Sequence, residues 1–69
     1  MALLRQIRTE AGLRQADLAA KLKRPQPFVS RYESGERRLD ILEWRQVCKV
    51  VGITPAEFLA RFEKMVNET

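Results

Sequence analysis

The sequence predicts an all-α fold, a compact bundle of five short helices, and three observations carry that expectation. Apolar residues recur at helical spacing along nearly the whole chain. Glycines stand where those runs stop, at Gly12, Gly35 and Gly52. The stretch from Gln15 to Gly35 reads as two short helices joined by a tight turn, with Leu18, Ala19 and Leu22 facing inward on the first and Val29, Tyr32 and Glu33 on the second.

The first helix carries Leu3, Leu4, Ile7 and Ala11 on one stripe, and Arg8, next to Ile7, sits beside the core rather than fully in solvent. The second runs from Gln15 to about Leu22. Its Ala19 lies where two steeply crossed helices touch backbone to backbone, so a small residue is needed. Lys23 to Pro27 cannot continue it, because Pro25 and Pro27 lack an N–H and disfavour helical geometry in the residue before each. Prolines are tolerated in a first helical turn, so a third helix starts near Pro25 to Pro27 and ends at Ser34. Stepping 100° per residue from an inward Val29 puts Tyr32 and Glu33 on the same side and Pro27, Ser30, Arg31 and Ser34 on the opposite one, with Gln26 projecting from the N-terminal end. Asp40 and Glu43 form a capping pair that opens the fourth helix, whose stripe is Ile41, Trp44, Val47, Cys48 and Val51, with Trp44 expected as the largest core side chain. Thr54, Pro55 and Glu57 open the fifth, over about residues 54–67. It carries Phe58, which can enter the core, and Leu59, Phe62, Met65 and Val66, for which a domain this small has little room.

Sixty-nine residues allow one domain, and a chain this short is only marginally stable alone, which favours a partner subunit. There is no apolar run of about 18 residues and no charged-then-apolar leader, so no membrane is expected and the location is expected to be cytoplasmic. With no His, a single Cys on an apolar helix face and no paired carboxylates in a cleft, the sequence offers no acid, base or nucleophile and no metal cluster. An enzyme is not expected, nor a cofactor or a small-molecule ligand. Cys48 reads as a small core residue. The charge is more informative: between Arg14 and Arg38 lie seven basic and three acidic residues, and the rest of the chain balances, so the whole net charge of +4 falls on that stretch. Such localisation is the footprint of a surface facing phosphates.

The spacing of Gln15, Ala19, Leu22, Gln26, Val29, Ser30, Tyr32, Glu33 and Gly35 resembles the helix-turn-helix of phage repressor and Cro-like transcriptional regulators, the lambda repressor-like DNA-binding domain. RTEAGL before it, and RRLD and VCKVVGITPAEF after it, extend the likeness over nearly the whole chain. The sequence departs at two places: Lys23 stands where a turn Gly is usual, and Arg14 where a helix-opening Thr or Ser is usual. Lys23 must then adopt positive φ, or the turn differs slightly. The resemblance implies a third helix whose outward edge enters the major groove of double-stranded DNA, with Gln26, Pro27, Ser30 and Arg31 reading bases. Gln26 suits adenine and Arg31 guanine. It further implies backbone contacts from Arg14, Gln15, Arg24, Phe28, Ser34, Arg37 and Arg38, although Phe28 lies at the border between faces, where partial packing against the second helix is favoured over contact with a thymine methyl group. A structural ion pair between Arg8 and Glu33 is also implied.

Twofold regulators of this kind match palindromic operators. The surplus apolar residues Leu59, Phe62, Met65 and Val66 are accordingly read as a homodimer interface. The alternative is a protein-interaction module that keeps the fold, which the polar and basic set Gln26, Ser30, Arg31, Arg37 and Arg38 argues against.

Overall fold

A computed structural model describes residues 2–67, and among them five helices form: α1 (Ala2–Glu10), α2 (Gln15–Leu22), α3 (Gln26–Ser34), α4 (Ile41–Val51) and α5 (Pro55–Asn67). Helix α2 packs on α3 and α4, α1 packs on α3, and α4 packs on α5. The fully buried centre is Leu18 of α2, Val29 and Tyr32 of α3, and Cys48 of α4. Ala19 is buried too. Burial pushes the Cys48 thiol above its ordinary range, which keeps it protonated and inert.

The helix ends follow local chemistry. At the start of α2, Asp17 accepts from the backbone N–H of Arg14 at 2.9 Å, while the guanidinium, having no acceptor, donates to the same carboxylate at 3.2 Å. Helix α4 is capped reciprocally: Glu43 N–H donates to Asp40 Oδ1 at 2.7 Å and Asp40 N–H to Glu43 Oε1 at 3.1 Å. Helix α5 opens with Glu57 N–H donating to Thr54 Oγ1 at 3.0 Å.

Lys23 takes the left-handed conformation, with φ 57° and ψ 42°. Its N–H and that of Arg24 close onto Ala20 and Ala19 carbonyls at 3.1 and 3.0 Å, so the last turn of α2 is satisfied despite the side chain. Pro25 is then extended at φ −62°, ψ 148°, and Pro27 lies within the first turn of α3. The turn geometry is thereby fixed by one strained residue and two ring-locked ones.

Two expectations for α4 are corrected. Ile41 is 73% exposed, outside the buried stripe, and its neighbour Leu42 is 74% exposed, although Glu43 in the same turn is held by Arg24 and Arg37. Trp44 is only half-buried, edge-on to Phe58 at 5.4 Å, so Tyr32 rather than Trp44 is the largest fully buried side chain. The apolar set of α5 also divides. Phe62 and Met65 rest partly on the core, whereas Leu59 and Val66 remain 51% and 47% exposed.

Arg8 is 7% exposed. Its Nε donates to Glu33 Oε2 at 2.7 Å, its Nη2 to Glu33 Oε1 at 3.1 Å, and its Nη1 to the Leu13 carbonyl at 2.7 Å. Helix α1 is also tied to α5 at the surface, where Arg61 donates to Glu10 at 2.8 and 2.9 Å.

Two stability changes are expected. Arg8→Ala leaves a buried carboxylate short of its main donor and should cost about 3 kcal/mol in urea unfolding, while Arg61→Ala should barely move the midpoint. Lys23→Gly removes the left-handed strain and should raise stability by about 1 kcal/mol in the same assay; a loss would show that the Lys23 side chain contributes more than its backbone conformation costs.

Candidate nucleic-acid interface

The inward residues Val29 and Tyr32 are 0% and 2% exposed, and this anchors one side of α3 in the core. The opposite edge faces solvent. Gln26, Pro27, Arg31 and Ser34 are exposed, and Ser30 is half-buried. The two serine hydroxyls donate to carbonyls of their own helix, Ser30 to Pro27 at 3.2 Å and Ser34 to Arg31 at 3.1 Å. Each hydroxyl keeps its lone pairs available to another donor. Among the described residues Arg31 forms no ion pair, so its five donors are unspent. A polar, acceptor- and donor-bearing ridge about two turns long results.

The residues around this ridge differ in how committed they are. Gln15, at the first turn of α2, donates from Nε2 to Glu33 Oε1 at 3.1 Å, which fixes the amide beside α3 and leaves its second N–H for another acceptor. The Arg14 side chain is 86% exposed and leans on Asp17. Arg38 is exposed and forms no ion pair among the described residues. These groups keep donors free of any buried contact.

Arg24, Arg37 and Phe28 form a cluster that the sequence does not announce. The Phe28 ring is half-buried, edge-on to Tyr32 at 5.5 Å, with the guanidinium carbons of Arg24 and Arg37 at 4.8 and 4.7 Å from its centroid. Arg37 is not a solvated loop arginine: it donates from Nη1 and Nη2 to the two oxygens of Glu43 at 3.1 and 2.9 Å. Arg24 approaches the same carboxylate at 3.5 Å. The fork from Arg37 holds the Glu43 carboxyl below the usual carboxylate range, and Glu43 raises Arg37 in turn, so both are charged at neutral pH. Spacing alone reads Glu43 as a capping residue. Its second role depends on the turn between α2 and α3 bringing Arg24, 19 positions away, to the start of α4.

Five short helices packed on one another, a turn set by Lys23 and two prolines, and an exposed polar ridge backed by buried Val29 and Tyr32 define a helix-turn-helix protein. A family described as the helix-turn-helix domain matches residues 2–60, and the chain belongs to it. A solved structure, an XRE-family like protein from Pseudomonas syringae pv. tomato str. DC3000, is similar at 46% identity with a TM-score of 0.83, covering 91% of this chain and 77% of that one. No curated protein matches. Fold and family together make this a Cro/repressor-like DNA-binding regulator. No helix among the described residues is long and apolar enough to cross a membrane.

Proposed function

We propose that the protein is a sequence-specific transcription regulator that binds a palindromic operator in double-stranded DNA as a homodimer, with α3 in the major groove. The observation that supports this most is the division of α3, whose Val29 and Tyr32 are buried while Gln26, Pro27 and Arg31 are exposed. Gln26 pairs in bidentate fashion with an adenine and Arg31 with a guanine, while Ser30 and Pro27 contact neighbouring base edges. Arg14, Gln15, Ser34 and Arg38 take phosphates on either side. Arg24, Phe28 and Arg37 belong to the same edge but are paired with Glu43 or with one another.

Dimerisation is assigned to α5. Leu59 and Val66 are half exposed, Phe62 and Met65 only partly covered, and beside them lies a groove of about 480 Å³ lined by Leu4, Leu39, Trp44, Phe58, Leu59 and Phe62. Apolar surface of this kind is covered in a twofold pair, which sets two α3 helices one duplex turn, roughly 34 Å, apart.

Selection of bound duplexes from a random pool tests the reading directly. It should enrich a palindrome with half-sites one turn apart, and failure to enrich any sequence would overturn it. Arg31→Ala should weaken binding to the selected site by about 1–3 kcal/mol and relax preference at a single base pair in each half-site; equal weakening on all sequences would make Arg31 a phosphate contact. Leu59→Asp should give a folded monomer by sedimentation, with much weaker operator binding, whereas a dimeric mutant would remove α5 from the interface.

A further inference from the structure

Glu43 gathers more donors than any capping role needs. Its side chain is 13% exposed and accepts from Asp40 N–H at 3.1 Å, from both terminal nitrogens of Arg37 at 3.1 and 2.9 Å, and from Arg24 at 3.5 Å. Both arginines also lie over the Phe28 ring, at the N-terminal end of the exposed ridge. Their side chains keep 48% and 40% exposure, so they are reachable from outside while held from inside. A guanidinium fork fits a carboxylate and a phosphate with the same two N–H groups. Glu43 and a DNA phosphate therefore compete for the same edge of Arg37.

Resting on the DNA-binding reading above, we propose that Glu43 is an internal phosphate substitute that determines specificity: it withholds Arg24 and Arg37 from DNA unless base contacts along α3 hold the duplex in place. On an arbitrary duplex a phosphate offers the arginines no more than Glu43 already supplies, and the two arginines stay on the protein. Non-specific binding then proceeds with two fewer phosphate contacts than the count of basic residues implies. On an operator, the bases anchored by Gln26 and Arg31 keep phosphates beside the cluster long enough for the exchange.

The test uses the full chain and a mixed-sequence duplex, with affinity followed by fluorescence anisotropy over a series of KCl concentrations. Glu43→Gln keeps the helix cap, since a Gln oxygen still accepts from Asp40 N–H, but gives up the charge that holds the arginines. Its plot of log affinity against log salt should be steeper than wild type by about 0.9 for each arginine released, so by roughly 1.8 if both are. Glu36→Gln is the control, because Glu36 is exposed and its side chain has no ion pair among the described residues; the same change in charge there should leave the slope parallel to wild type. Arg37→Gln in the Glu43→Gln background should lose about half of the added slope. Arg37→Gln alone should leave the wild-type slope unchanged, which keeps the test available if Glu43→Gln folds poorly. Equal slopes for Glu43→Gln and Glu36→Gln, or a flatter slope for Arg37→Gln alone, would overturn the proposal. Absence of wild-type binding to any duplex would instead remove the DNA-binding reading, a distinct result.

Discussion

The carboxylate of Glu33 is the point on which the rest of the structure depends. It sits at the inner end of α3 with 3% side-chain exposure, and it receives Arg8 from α1 and Gln15 from α2. A buried charge is tolerated only when its oxygens are saturated by donors, and here the donors come from two other helices. Satisfying one side chain therefore fixes the relative position of α1, α2 and α3. The exposed ridge is set by the same requirement, since α3 cannot roll about its axis without pulling Glu33 off Arg8. The ion pair orients the exposed edge even though it lies on the opposite side of the helix.

The turn before α3 complements this constraint from the other end. Lys23 in the left-handed region and Pro25 in extended geometry leave little freedom in how α3 departs from α2. Beyond α3, the loop returns to the same place, because Arg37 and the capping residue Glu43 are bonded through both oxygens. Glu43 thus joins the cap of α4, the loop and the turn in one group of charges packed on Phe28. The positive charge that the sequence concentrates between Arg14 and Arg38 is consequently of two kinds. Arg31 and Arg38 carry theirs outward, while Arg24 and Arg37 share one carboxylate from outside that stretch.

The helices were legible because each is signalled locally: glycine stops, the Asp40 and Thr54 caps, and apolar spacing all act within one or two turns. The inward set of α3 and the Arg8–Glu33 pair were legible as well, the first from angular position and the second only from family resemblance. What escaped sequence reading was long-range. Nothing in periodicity shows that Ile41 and Leu42, in the first turn of α4, stay in solvent. Trp44 on a stripe looks like a centre-filling residue, yet the stripe's angle places it at the margin against Phe58. The arginines Arg24 and Arg37 look alike in sequence to Arg31 and Arg38, and only their approach to Glu43 distinguishes them.

Cys48 is 1% exposed and is the sole thiol in the chain. An alkylating reagent cannot reach its sulfur until the packing around it opens, so each modification event records one such opening. Any molecule that binds the closed form lengthens the interval between such openings. The protein thereby carries a built-in chemical clock, whose rate in the presence of a candidate binding partner reports occupancy without a dye, a tag or a substitution at the surface that does the binding.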